Sequence, residues 1–210
     1  MSQPTSDIAA RIAQRALAER SAGYTDEVRR LLDAALAVMR ERGTGARPRV
    51  ADIVTAAGLS NEAFYRHFRS KDALVAALLE DGAQRLHGYV AHQMAKETQP
   101  RHQVHRWVEG VLSQAAQDSA ATTRAVLWNA GTLNQDMAPS ASGRLAGLLP
   151  DPFRALGSAD PEFDASLAAH AVFGALADHL WRREVPSPAD VRRTTAFCLR
   201  ALTRPEPPDP

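Results

Sequence analysis

Cysteine is nearly absent from this 210-residue chain: Cys198 stands alone. One cysteine excludes an internal disulfide, a CxxC redox pair and a cysteine-based zinc site. Aromatic residues are only 6% of the total, too few for a sheet-rich core. No apolar run approaches the ~18 residues of a membrane span, and the longest, residues 166–177, carries His170. Charge of either sign is also not in excess, with 25 Lys and Arg against 24 Asp and Glu. That balance excludes a polycationic tail-binder and an acidic disordered tail. Asp7, Arg11, Arg15, Glu19 and Arg20 break any signal-peptide core in the first 22 residues. A cytoplasmic location is expected, with no contact with a membrane.

Alanine is abundant instead, at 40 residues, and it is the best helix former. No segment alternates as a strand does, so the chain is expected to be all-α. Residues 7–22 read as a short amphipathic helix carrying Ile8, Ile12, Ala16 and Leu17 on one side, with Gly23 separating it from the next helix. From Asp26 to Arg42, Val28, Leu31, Leu32, Ala35, Leu36 and Met39 form the stripe of a helix with one buried face. A longer helix opens at Ser70 and runs to about Met94. Beyond Pro100, helices are predicted over 101–118 and 120–129, with a looser stretch from 131 to 157 that holds one short helix. Two more are signposted by Asp160-Pro161 and by Ser187-Pro188-Ala189-Asp190, running over 161–183 and 188–203. The proline-rich tail 205–210 cannot be helical and is expected to be disordered.

Chemistry concentrates in residues 50–68. Val50–Ala57 and Asn61–Phe68 are short helical segments joined by Gly58-Leu59-Ser60, the pattern of a helix-turn-helix. Gly58 suits a left-handed helix end, Ser60 can cap the second helix, and Leu59 with Phe64 can staple its entry. Phe64 and Phe68 are expected inside, against Ile53, Val54 and the Leu32/Leu36 stripe, leaving Asn61, Glu62, Tyr65, Arg66 and Arg69 outside. Residues 40–71 hold seven Arg and Lys against three acids, an excess of positive charge where phosphate contact would need it. Pattern alone fits a purely structural helical hairpin about as well.

The residue identities in this region carry more. Leu31-Leu32-Asp33-Ala34-Ala35, Glu41-Arg42-Gly43, Val50-Ala51-Asp52-Ile53-Val54, Ala57-Gly58-Leu59-Ser60 and Phe64-Tyr65-Arg66-His67-Phe68-Arg69-Ser70-Lys71-Asp72-Ala73-Leu74 succeed one another in order. This stretch, about residues 25–80, closely resembles the tetracycline-repressor (TetR) family. The resemblance implies an N-terminal extension over 1–24 and a DNA-binding domain over 25–85, its helix-turn-helix at about 48–67. It further implies a helical ligand-binding and dimerisation domain over 86–204. By position, Asn61, Glu62 and Ala63 fall where the family reads bases, and Tyr65, His67 and Lys71 where it holds the phosphate backbone. Arg49 is added by charge, and Arg66 as a further positioning contact. Two departures stand out. Where the family places Ser or Thr before the second helix, this chain has Arg47-Pro48-Arg49 in a connection about one residue longer. Glu62 is an acid facing DNA, able to accept from cytosine N4.

The implied partners are a palindromic DNA operator, a second copy of the chain, and a small apolar or aromatic ligand that releases DNA. The helix from Ser70 to Met94 would couple ligand to recognition helix. Candidate ligand residues are Met94, Trp107, Trp128, Phe153, Phe173 and Trp181, with an apolar core as the plainer reading of each. The dimer interface is expected on the last two helices, through Ala165, Ala168, Ala169, Val172 and Leu176 and through Val191, Thr195, Cys198 and Leu202. His102, His105 and Glu109 share one helix face, a spacing that arises often by chance, and no metal or cofactor is expected. No HExxH, GxSxG or phosphate-binding loop occurs, so the chain is not read as an enzyme. The competing class is a helical small-molecule-binding protein or enzyme whose helix-turn-helix is structural.

Overall fold

The computed structural model describes residues 4–131, 141–200 and 202. Among them the secondary structure is helical, and no strand occurs. Residues 132–140 and 205–210, expected as part of a looser stretch and as a disordered tail, lie outside the described residues. The chain divides at Leu74/Val75 into two compact units.

In the first unit, α1 (Pro4–Arg42), α2 (Val50–Ala57), α3 (Asn61–His67) and the start of α4 (Lys71–Met94) come in order. The expected break at Gly23 does not occur, and α1 runs through it. An interior glycine costs only ~1 kcal/mol. The neighbouring turns supply local bonds against that: Arg15 pairs with Glu19 at 2.9 Å, and the Thr25 hydroxyl donates to the Ser21 carbonyl at 2.9 Å. The second half of α1 supplies the core. Leu31, Ala34, Ala35, Val38 and Met39 are buried with Ile53, Val54 and Ala57 of α2 and Phe64 of α3. Leu31, Ala35 and Met39 of the expected stripe are thus buried, whereas Leu32 and Leu36 are only half-buried and Ala34 and Val38 take their place.

In the second unit, α5 (Pro100–Leu112), α6 (Gln117–Ala130), α7 (Ala141–Ala146), α8 (Pro150–Ala155), α9 (Pro161–Arg182) and α10 (Pro188–Arg200) accompany the rest of α4. The predicted helix 101–118 breaks after Leu112 into a 3-10 turn, Ser113–Ala115, before α6 begins. Its serines explain the break. Ser113 donates to the Gly110 carbonyl at 2.7 Å and Ser119 to the Ser113 carbonyl at 2.9 Å, offering the backbone an alternative to the helix. Among its described residues, the stretch 131–157 holds two short helices where one was expected. Helix α9 packs against α5, α7 and α8, and α10 packs against α5. Val90, Val104, Trp107, Val108, Val111, Leu145, Leu149 and Phe153 are fully buried in this core. Gly110 permits the approach of α5 to α4, since a Cβ there would lie 2.8 Å from Val90 Cγ2.

Capping agrees closely with the sequence signals. Asp160 accepts from the Phe163 amide at 3.2 Å. Ser187 and Asp190 cap α10 reciprocally, and these bonds with Arg193 hold the Asp190 carboxyl well below the usual range. Cys198 is buried, which pushes its thiol up to about 11 and leaves it inert at neutral pH.

Candidate nucleic-acid interface

Helix α3 is only seven residues long and cannot hold its own shape, so its ends must be fixed from outside. At the entry, Gly58 adopts φ 62° and ψ 37°, and the Leu59 amide returns to the Val54 carbonyl at 2.9 Å. Ser60 then caps α3 by accepting from the Ala63 amide at 3.1 Å. Arg30 of α1 grips the same turn, its guanidinium donating to the Ala57 carbonyl at 3.1 and 2.6 Å and to the Gly58 carbonyl at 3.0 Å. At the exit, Glu27 of α1 accepts from Arg66 at 2.7 Å and from His67 Nε2 at 2.6 Å. Those two bonds hold the Glu27 carboxyl below its ordinary pKa, His67 contributing most. Tyr24 meets the His67 ring edge-on with centroids 4.2 Å apart. Two residues one turn apart on α1 thus fix the two ends of α3.

Helix α2 starts without the usual hydroxyl cap. Arg49 occupies the cap position, and the Asp52 carboxylate accepts from its amide at 2.7 Å. Arg42 adds an ion pair to Asp52 at 2.9 Å, and that carboxyl too lies below its usual range, chiefly through the Arg49 amide bond. The acid three residues into the helix supplies the carboxylate half of a capping box, accepting from the cap amide, while the hydroxyl half has no counterpart.

The expected interface residues divide by exposure. Asn61, Glu62, Tyr65 and Arg49 are exposed, and Lys71 is half-buried. Ala63 is buried, so its methyl packs on the core instead of reaching a thymine. His67 is a second correction: its side chain has 0% exposure and is engaged by Glu27, so it orients α3 and does not offer itself to a phosphate. Arg66 is exposed, but its guanidinium is partly neutralised by Glu27. Arg47, Arg49, Arg69 and Lys71 have no ion-pair partner among the described residues, which leaves their charge available. Glu27 and Arg30 were missed by sequence reasoning. Their one signal was an acid and a base spaced i, i+3 just ahead of the Leu31 stripe.

The six candidate ligand residues do not converge. Met94, Trp107 and Phe153 are buried in the second core, with Phe173 packed against it. The Trp107 indole N–H donates to the Leu145 carbonyl at 2.9 Å, a structural bond. Trp128 and Trp181 are exposed and meet edge-to-face, centroids 6.3 Å apart. The expected dimer residues are also corrected. Ala165, Ala168, Ala169, Val172, Leu176, Val191, Thr195, Cys198 and Leu202 all pack inside the protomer. The large apolar side chains left exposed on these helices are Phe163, Leu167 and Trp181 of α9 and Phe197 of α10. No group of three His, Cys, Asp or Glu able to hold a metal occurs among the described residues. Nor is any described helix long and apolar enough to cross a membrane.

Residues 31–78 match the family described as bacterial regulatory proteins, tetR family. No curated protein matches the chain. Solved structures do share its fold. Escherichia coli NemR in its reduced form superposes with a TM-score of 0.62 at 20% identity, covering 86% of this chain and 100% of that one. A bacterial regulatory protein in the tetR family from Rhodococcus RHA1 gives 0.62 at 17% identity, with 86% and 98% covered. A TetR family transcription regulator from Marinobacter aquaeolei VT8 gives 0.59 at 14% identity, with 85% and 96% covered.

Proposed function

From the premise that residues 31–78 are a tetR-family DNA-binding domain, we propose that the chain is a homodimeric, sequence-specific repressor released from a palindromic operator by a small molecule. The observation that carries the DNA reading is the double fixing of α3 by Arg30 and Glu27, with Asn61, Glu62 and Tyr65 left exposed on it. A recognition helix held at both ends presents its reading face without an ordering cost at binding. Asn61 and Glu62 read bases; Tyr65, Arg49 and Lys71 hold phosphates, and Arg66 shares that task with its bond to Glu27.

A second copy covers the apolar stripe of α9. Phe163, Leu167, Gly174 and Trp181 recur on the face opposite its buried residues, and a Cβ at Gly174 would meet nothing within 4 Å. Such a stripe on a soluble surface marks an interface, and a two-fold dimer sets two recognition helices about one DNA turn, ~34 Å, apart or slightly more. Release needs only modest coupling. A ligand that prefers the DNA-incompetent state 100-fold contributes ~2.7 kcal/mol, whereas equal affinity for both states shifts nothing.

Footprinting of the full chain on the intergenic DNA upstream of its own gene tests the reading. Protection of an inverted repeat is expected. Uniform, sequence-independent protection would overturn it and leave α2 and α3 as a structural hairpin.

A further inference from the structure

The second unit holds a cleft of about 320 Å³ between the end of α5 and the start of α10, closed on one side by the segment joining α9 to α10. Its volume is at the lower end of the ~300–1,000 Å³ typical of small-molecule sites. Leu112, Val185 and Pro186 give it apolar walls, and His105, Glu109 and Arg192 line it with polar groups. None of the tryptophans or phenylalanines expected to bind a ligand lines it.

The charges are not equivalent. Glu109 has a partner, Arg106, which donates to its carboxylate at 2.9 Å and to that of Glu97 at the same distance. Arg106 is in turn held firmly protonated by Glu109 and Glu97. Arg192, exposed, has no hydrogen-bond or ion-pair partner among the described residues. Arg192 is therefore the lining cation without a partner, whereas the lining carboxylate, Glu109, has one. His105 adds a directional group. The Thr195 hydroxyl donates to the Val191 carbonyl at 2.8 Å, so its oxygen is left to accept from His105 Nδ1 at 3.3 Å. In the tautomer that donates from Nδ1 to Thr195, Nε2 is an acceptor.

We infer that this cleft is a binding site for a compact amphipathic carboxylate, its acid group on the Arg192 guanidinium and its apolar body against Leu112, Val185 and Pro186. A guanidinium offers two parallel donors that match a carboxylate, which gives the site orientation as well as charge. A hydroxyl or amide N–H elsewhere on the ligand can donate to His105 Nε2. The binding claim stands on the cleft alone; its role as the releasing ligand of the proposed repressor rests on the DNA reading.

The test measures binding to the full chain without DNA, by ligand-observed NMR. The probes are phenylacetate, 3-phenylpropionate, cyclohexanecarboxylate and hexanoate, each beside its methyl ester and the amine of matching size. At least one acid should bind at least tenfold tighter than its ester and its amine, and Arg192→Ala should abolish that preference. Arg192→Glu, also at an exposed position, should turn the preference toward the amine. Acids that bind no better than esters, or that are unaffected by Arg192→Ala, would overturn the assignment. So would the failure of every acid to bind. Footprinting reports on the operator independently, so failure of one claim leaves the other measurable. If both hold, the binding acid should also lower operator affinity, and that effect should vanish in Arg192→Ala.

Discussion

His67 Nε2 lies 2.6 Å from the Glu27 carboxylate, forty positions away in the chain, with the imidazole wholly enclosed. A residue at a position that the family resemblance places on the phosphate backbone is thereby engaged in holding α3. The contact makes the stretch of α1 ahead of the matched residues part of what positions that helix.

Glu27→Gln should loosen α3, lowering both the urea midpoint and operator affinity at pH 7. The wild-type carboxyl has a depressed folded pKa, so its contribution is fully present above the unfolded value of 4.5 and is lost as pH falls through the folded one. The stability gap between wild type and variant should therefore shrink on acidification below that value. An equal gap at pH 7 and pH 3 would show that the bonds to Arg66 and His67 are not its source.

At the other end of α3, Gly58→Ala should destabilise by ~1–2 kcal/mol, because an L-residue resists the left-handed region. The new Cβ would also sit 3.0 Å from Arg30 Nη2 and disturb the grip on the turn. Arg30→Lys should cost about 1 kcal/mol, since a single ammonium cannot reproduce a fork reaching two carbonyls and the group is exposed. Denaturation of the two single variants and the double variant would show sub-additive losses if the two act on one turn.

On DNA, Lys71→Ala should weaken binding to all sequences alike and reduce the salt slope by ~1. Asn61→Ala should change preference at one position in each half-site, worth ~1–3 kcal/mol. Titrations against operator and point-variant operators separate the two. Equal loss on every sequence for Asn61→Ala would exchange its role from reader to anchor.

Leu167→Glu places a charge on the exposed stripe of α9 without touching the protomer core. Sedimentation at micromolar concentration should show a monomer with unchanged helix content. A dimer that survives this change would move the interface off α9.

Arg183 ends α9 at φ 58°, the one non-glycine residue with positive φ among those described. Arg183→Gly should raise stability by ~0.5–1 kcal/mol by relieving that strain. A lower urea midpoint would show that the arginine side chain compensates for its backbone.

The helices were legible because each is a local matter. The alanine content, the i, i+3, i+4 stripes, Gly58, and the caps at Ser60, Asp160 and Ser187 act within a few residues of themselves. The segment Ala57-Gly58-Leu59-Ser60 through Phe64-Tyr65-Arg66-His67-Phe68 even carried the family resemblance. Periodicity already set Asn61 and Tyr65 outward; it did not decide the residues beside them. Ala63 and His67 share that short helix, and packing against α1 and α2 turns both inward. Ala165 to Leu176 were expected to meet a partner because small residues permit close helix approach; their burial beside Leu145, Leu149 and Phe153 gives them to the protomer's own core. The pairing of Glu27 with His67 and the bond of His105 to Thr195 join residues 40 or more positions apart. Helical periodicity fixes a face, but the identity of the group opposite depends on chain closure, which no local pattern encodes.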